Sequence, residues 1–368
     1  MPGAPETIPA KTPEATPEAT NVSVEKRDSA ARKKKAHAIA LFSGGLDSAL
    51  AMLLLLRQNI EVTALTFMTH FGCDATSDRS SCGSNPYPMA EKFGFNVKLM
   101  HLGQRFIDIV EKPKYGRGAN MNVCIDCRIL MIDEAARYMR MTGADFIVTG
   151  EVVGQRPMSQ RKPTMGLVEK RVNLGGRLLR PLSARILPPT LPEKQGLVDR
   201  EKLEGISGRT RKRQMELARE FGLDDYPSPA SGCLLTDFSY SQRLRDLMKH
   251  SDRLTFQDLN LLRIGRQFRI SPACKLIVGR NENENKQLQQ YANSETFVLE
   301  AIDTGSPLGL LYGSPTDEEL TICARILARY CDRKHLAETS VQLRHGGSER
   351  TLTVAPADEA TLDRMRIQ

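Results

Sequence analysis

No stretch of this 368-residue sequence approaches the roughly 20 consecutive apolar residues that a membrane helix requires. The longest candidate, Ala49 to Leu56, stops at Arg57. No apolar leader segment follows Met1, and Glu6, Glu14, Glu18 and Glu25 argue against the acid-poor composition of an organelle transit peptide. The cytoplasm is therefore the expected compartment, with no membrane partner. Eight cysteines in that setting are not expected to form a disulfide framework, so their spacing has to be read as chemistry or as core packing. No internal repeat is found.

What is present is room for two domains, since domains commonly run to about 100–200 residues. Residues 1–35 read as a disordered tail. The first 24 are rich in Pro, Thr, Ala and Glu, too polar to offset chain entropy by burial. Lys plus Arg exceed Asp plus Glu by 52 to 44. Much of that excess is local, at Lys26, Arg27 and Arg32 to Lys35, then at Arg209, Arg211, Lys212 and Arg213. Such clusters suit contact with a polyanion, the competing reading being a solvated face.

After the tail, strands are predicted at His37–Phe42, Glu61–Met68, Asn96–Leu102 and Asp145–Thr149. Helices are predicted at Ala49–Arg57 and at Asp126–Met141, the second stopped by Gly143. Alternation of strands and helices predicts an α/β, doubly wound parallel sheet over residues 36–240. Its ligand should sit beyond the carboxyl ends of the strands. A further strand at Arg177–Leu182 and a helix at Arg209–Phe221 follow. Beyond residue 246 the apolar runs "LLRIGRQFRI", "CKLIVGR", "TFVLEAI", "LGLLYG" and "RTLTVAP" predict strands, with helices near Glu282–Tyr291 and Asp317–Cys331. This pattern marks a smaller α+β domain over residues 246–368.

The stretch "LFSGGLDSALAMLLLL" places Ser43, Gly44, Gly45, Leu46, Asp47 and Ser48 between the first strand and a helix. Gly44 and Gly45 can take positive φ, and the helix aims its N-terminal amides at the turn, which suits a phosphate. The Lys of a Walker loop is missing, and so is G-x-G-x-x-G. The hexapeptide resembles the signature of the PP-loop, or N-type, ATP pyrophosphatases, which cleave ATP between the α and β phosphates. That resemblance implies that the loop amides, Ser43 and Ser48 hold the leaving pyrophosphate. It also implies that Asp47 helps arrange Mg²⁺ or the phosphates.

"CIDCRILMIDEAARYMRMTGADFIVTGEVVGQRPMSQ", residues 124–160, resembles the adenylation domain of the ThiI-type 4-thiouridine tRNA sulfurtransferases, as do "LLRPL" at Leu178–Leu182 and the further Cys233. By that resemblance Thr149, Gly150, Glu151, Gln155, Ser159 and Gln160 lie over the nucleotide. Cys124 and Cys127 open a helix, where the dipole should favour thiolate. With Cys233 they would either hold an iron–sulfur cluster or exchange a persulfide, the cluster being preferred because no rhodanese-like segment is present. Cys73 and Cys82 could join Cys124 and Cys127 in a zinc site, a plain loop being the simpler reading. Cys274, Cys323, Cys331 and His101 read as core.

"RIGRQFRI", "KLIVGRNENEN" and the helix at Asp317–Cys331 resemble the RNA-binding module of the NFACT family. Arg263, Arg266, Arg269, Lys275 and Arg280 would then meet phosphates. The expectation is an ATP- and Mg²⁺-dependent tRNA sulfurtransferase that acts on tRNA and takes sulfur from sulfide or from a persulfide carrier such as a cysteine desulfurase. The alternatives are a PP-loop enzyme adenylating a small molecule, and a non-catalytic RNA adaptor that retains a nucleotide site.

Overall fold

The structure is a computed structural model, and it describes residues 35–72, 85–223, 226 and 233–368. The tail ahead of Lys35, the thiols Cys73 and Cys82, and most of "YPSPASGC" lie outside the described residues.

The first part of the chain runs β1 (His37–Leu41), α1 (Leu46–Leu56), β2 (Glu61–Met68), α2 (Pro86–Phe93), β3 (Asn96–His101), α3 (Gly103–Glu111), α4 (Cys124–Thr142), β4 (Phe146–Thr149), α5 (Lys162–Val172), β5 (Leu178–Leu179), α6 (Leu191–Lys194) and α7 (Lys212–Glu220). Its five strands form a parallel sheet in the order β3-β2-β1-β4-β5. Both faces are covered, as near-continuous apolar strands demand. Ala38 and Ala40 of β1 pack beneath the leucine-rich α1, while Ile39 and Leu41 face α4 through Ile132, Ala135 and Ala136. The chain winds from β1 outward to β3, then returns to place β4 on the other side of β1. The reversal leaves a crevice beyond the carboxyl ends of β1 and β4.

The second part contains α8 (Phe238–His250), α9 (Phe256–Leu261), β6 (Arg266–Ser271), β7 (Cys274–Val278), α10 (Glu282–Gln289), β8 (Phe297–Ala301), β9 (Gly309–Tyr312), α11 (Asp317–Ala328), β10 (Thr339–His345), β11 (Ser348–Val354) and α12 (Glu359–Met365). Its six strands pair antiparallel in the order β11-β10-β8-β9-β7-β6. Alternation along β7 sends Leu276 and Val278 toward the α11 face, among Phe268, Cys323 and Leu327. Ile277 goes to the opposite face with Leu288 and Leu310.

Both sheets match the expected fold class, and helix α8, not predicted as a helix, crosses residues 240–250 unbroken. Tyr240, Leu244 and Leu247 of α8 bury against Phe71, Phe106 and Leu235. Strand β10 also goes unpredicted from sequence: its inward Val341 and Leu343 alternate with polar Gln342 and Arg344. Cys274, Cys323 and Cys331 are buried as expected. His101 is not core: it ends the edge strand β3, is exposed, and its ring Nδ1 accepts a hydrogen bond from the Gly103 amide at 3.0 Å. No described helix is long and apolar enough to cross a membrane.

One close approach sets the crevice. A Cβ placed on Gly150, just after β4, would lie 2.5 Å from the Ser48 amide nitrogen and 2.6 Å from the Asp47 carbonyl. Those atoms are backbone and cannot rotate away, so only glycine lets β4 press on the β1 loop. Gly150→Ala should lower stability by about 1–3 kcal/mol, the usual cost of overpacking. Urea denaturation checks this, and an unchanged midpoint would mean that the two segments can part freely.

Candidate functional site

The turn after β1 is built by a small set of local bonds. Gly44 sits at φ 76°, the left-handed region, whereas Gly45 caps α1 at φ −82°. Only the first glycine therefore uses the positive φ expected of both. The Ser48 hydroxyl donates to the Gly45 carbonyl at 2.8 Å and accepts from the Ser43 amide at 3.3 Å, while the two serine hydroxyls lie 3.2 Å apart. The result is a rigid loop with the amides of α1 at its open side, the arrangement in which helix N-termini take up anions.

A cavity of about 360 Å³ opens onto this turn. Ser43, Gly45, Leu46, Asp47 and Ser48 line it together with Gly150, Glu151, Gln155, Ser159 and Gln160 from the loop after β4. Cys124, Cys127 and Cys233 line the same cavity. Of the residues expected at the nucleotide and sulfur sites, Gly44 and Thr149 alone stand back from it. Thr149 is buried and donates to Glu151 Oε2 at 3.1 Å. The sequence reading missed Phe67, Met131 and three arginines, Arg128, Arg156 and Arg211, which also line the cavity. Arg211 belongs to a basic cluster seen in the sequence, but nothing there separates it from Arg213, which instead bonds Glu204 and Glu220.

The charges in the cavity are arranged in two tiers. Glu151 is buried and holds two guanidiniums, Arg128 at 3.1 Å and Arg180 at 2.9 Å. Burial would raise its carboxyl, but Arg128, Arg180 and the hydrogen bonds from Arg180 and Thr149 outweigh that and hold it below the ordinary glutamate value. Its oxygens are thus committed to arginines rather than to a ligand. Asp47 is different. One carboxylate oxygen accepts from Gln155 Nε2 at 2.9 Å, while Oδ1 is buried without a partner, as are the amide oxygens of Gln155 and Gln160. Buried acceptors left unpaired are costly. Three of them around one cavity fit a cation and a ligand bearing donors, so the residues present suit Mg²⁺ held by Asp47.

The thiols behave otherwise than the helix start suggests. Burial pushes Cys127 up to about 12 and Cys233 up to about 11. It also raises Cys124, against the pull of Arg128 and Arg156. Desolvation of a thiolate here exceeds the benefit of the helix dipole and the guanidiniums, so the neutral thiol is the resting form. Two of the thiols have specific neighbours as well: Cys127 Sγ lies 3.9 Å from Met131 Sδ, and Cys233 Sγ donates to the Phe71 carbonyl at 3.3 Å. Among the described residues no three His, Cys, Asp or Glu side chains are grouped as a metal site. The three thiols share one cavity and act on one another through space, Cys233 and Cys124 each raising Cys127 and Cys124 raising Cys233.

The five cations expected to meet RNA are mostly held by partners within the fold. Arg269 bonds Asp246 at 3.0 and 2.6 Å, and Lys275, which burial pushes down to about 8, lies 3.9 Å from the same carboxylate. Arg280 pairs with Glu284, and Arg263 donates to the His70 carbonyl. Arg266 lies over the Tyr330 ring at 4.5 Å and lines a separate cavity.

At pH 8 a thiol with a pKa near 12 is about 1 part in 10,000 thiolate, against about one quarter for a free cysteine. Iodoacetamide should therefore label Cys127 about a thousandfold more slowly than a peptide thiol, speeding up about tenfold per pH unit. Peptide mass spectrometry reads this, and labelling at the free-thiol rate would mean that Cys127 is solvated.

Residues 34–185 match the family model described as thiamine biosynthesis protein (ThiI), and residues 265–366 match the NFACT protein RNA binding domain. A "probable tRNA sulfurtransferase" of Thermococcus kodakarensis is 27% identical over 145 residues, 37% of this chain and 34% of that protein. A "bifunctional protein NifU/MnmA" of Rubrobacter xylanophilus is 27% identical over 133 residues, 33% of this chain and 27% of that protein. The chain therefore spans about a third or less of the length of these curated relatives. Among solved structures, the U34-tRNA thiolase NcsA from Methanococcus maripaludis, with its 4Fe–4S cluster, aligns at a TM-score of 0.32 and 17% identity, over 62% of this chain and 71% of that one. The chain is thus similar to the ThiI family over residues 34–185 and to the NFACT RNA-binding domain over residues 265–366.

Proposed function

We propose that the chain is an ATP-dependent tRNA sulfurtransferase that adenylates a uridine carbonyl and replaces its oxygen with sulfur. The observation that carries this reading is that the phosphate-binding turn and three thiols line one cavity. An activated carbonyl and its sulfur nucleophile could meet there without crossing solvent. The ThiI match and the sulfurtransferase relative support the chemistry, and the RNA-binding match supports RNA over a small molecule.

A carbonyl oxygen is a poor leaving group. Attack of that oxygen on the α-phosphorus of ATP forms a P–O bond and breaks the bond to the bridging oxygen, so pyrophosphate departs. Sulfur then forms the C–S bond, the C–O bond breaks, and AMP leaves with the oxygen. In this cavity the α1 amides and the Ser43–Ser48 turn would take the departing pyrophosphate. Mg²⁺ held by Asp47 would neutralise part of the triphosphate charge. Arg156 and Arg211 add positive charge on the cavity wall. Gln155, tied to Asp47, and Gln160 would orient the nucleotide for in-line attack. Cys124, Cys127 and Cys233 would handle sulfane sulfur from a persulfide carrier such as a cysteine desulfurase: one thiolate would take the outer sulfur and release the carrier's thiol. That sulfur would form the C–S bond while a second thiol breaks the S–S bond, leaving a disulfide as AMP departs; free sulfide would instead attack the adenylated carbon directly, with no carrier. Cys124 stands nearest to the role of carrier because Arg128 and Arg156 offset part of its desolvation.

Two variants test this reading in single turnover with the full chain, ATP, Mg²⁺, a cysteine desulfurase with cysteine as persulfide donor, and unmodified tRNA. Asp47→Ala should lower pyrophosphate release by about 100-fold or more, the scale seen when a positioned electrostatic group is removed. Unchanged release would remove the nucleotide assignment. Cys124→Ser should keep releasing pyrophosphate while thiouridine, read by nucleoside mass spectrometry, ceases to form. Equal loss of both steps would assign Cys124 a structural role.

A further inference from the structure

A second cavity, of about 310 Å³, opens where the start of α8 meets β6 and residues 366–368. Three guanidiniums line it, Arg243, Arg266 and Arg366, and no Asp or Glu side chain does. Each arginine is pinned by neutral partners. Arg243 donates to the Leu262 carbonyl at 2.9 Å, Arg266 to the Gly279 carbonyl at 3.3 Å, and Arg366 to the Tyr330 hydroxyl at 2.9 Å. Acidic groups stand off: Glu359 and Asp363 are each 4.0 Å from Arg366, while Asp237 and Glu284 act on Arg243 only through space. The Nε atoms of Arg243 and Arg366 are buried and have no hydrogen-bond partner among the described residues. Three cations fixed around one space, two of them with donors unused, are an incomplete arrangement that an anion would complete.

Phe238 stands at the rim with 56% of its surface exposed. A lone exposed aromatic needs no explanation. Next to three arginines it forms the pairing that single-stranded nucleic acid requires, a ring for a base and cations for the backbone.

We propose that this cavity binds the RNA strand, with Arg243, Arg266 and Arg366 holding a backbone phosphodiester and Phe238 stacking an unpaired base. The inference rests on the reading of RNA as substrate and gives it an anchoring point. Arg243, Arg366 and Phe238 carry no signal in the sequence, because they come from α8 and the chain's last turn rather than from the arginine-rich strands. The anchor is also tied to the sulfur site. Cys233 lines the first cavity and Phe238, five positions on, the second, with a 3₁₀ turn at Leu234–Thr236 between them. Even fully extended, that segment spans no more than about 18 Å. A strand held at Phe238 would therefore present a nucleotide only a few positions away to the thiols.

The test is binding of fluorescein-labelled unmodified tRNA to the full chain by anisotropy over a range of salt concentrations. Phe238→Ala should weaken binding about tenfold. Arg366→Gln should weaken it and lower the slope of log affinity against log salt by about one. Arg366→Lys should keep the slope, and the exposed Lys286→Gln, outside the cavity, should change neither. Denaturation midpoints near wild type establish that the variants are folded. Wild-type binding with Phe238→Ala and Arg366→Gln both within twofold of it would overturn the cavity assignment while leaving the sulfurtransferase reading in place. Loss on Arg366→Gln with no effect of Phe238→Ala, together with displacement of the tRNA by inorganic phosphate, would make this a free-anion site and overturn the RNA assignment. No binding of tRNA by the wild type would overturn both readings.

Discussion

The contact of Gly150 with the backbone of Asp47 and Ser48 is the constraint on which the site depends. It joins the ends of β1 and β4 at the point where strand order reverses, so that two loops far apart in sequence form one wall. Asp47 then reaches Gln155 across that seam. The parallel sheet, with α1 on one face and α4 on the other, keeps the two strand ends in register. Helix α4 begins at Cys124, so the same packing that buries Ile132 and Ala136 also carries two thiols to the edge of the phosphate turn.

Electrostatics in the cavity is settled by burial as much as by charge. Glu151 stays ionised because two arginines repay its desolvation, and it in turn fixes Arg128 at the cavity wall. For the thiols the nearby arginines offset too little of the desolvation, and they remain neutral. The cavity therefore places guanidiniums and protonated sulfur atoms in one wall.

In the second part of the chain, positive charge is mostly structural. Asp246 on α8 gathers Arg269 and Lys275, and Glu284 takes Arg280. These pairs fasten the antiparallel sheet to its helices. What remains for a ligand is a smaller set, drawn from α8, β6 and the end of the chain. Counting arginines along the strands therefore overstates the charge that is available to a partner.

The parallel sheet, the glycine turn between β1 and α1 and the helix start at Cys124 are legible in the sequence, since periodicity, glycine placement and motif spacing are local properties. β10 is faint in the sequence because its two inward apolar residues, Val341 and Leu343, stand among polar and charged ones. His101 was misplaced because strand order, which makes β3 an edge, is not written locally. What the sequence alone determined was which residue types lie at the ends of which elements. The tertiary structure decided which of them share a cavity, which arginines are spent on carboxylates, and that the thiols are protonated. Those outcomes depend on distances and desolvation between segments that chain order does not contain.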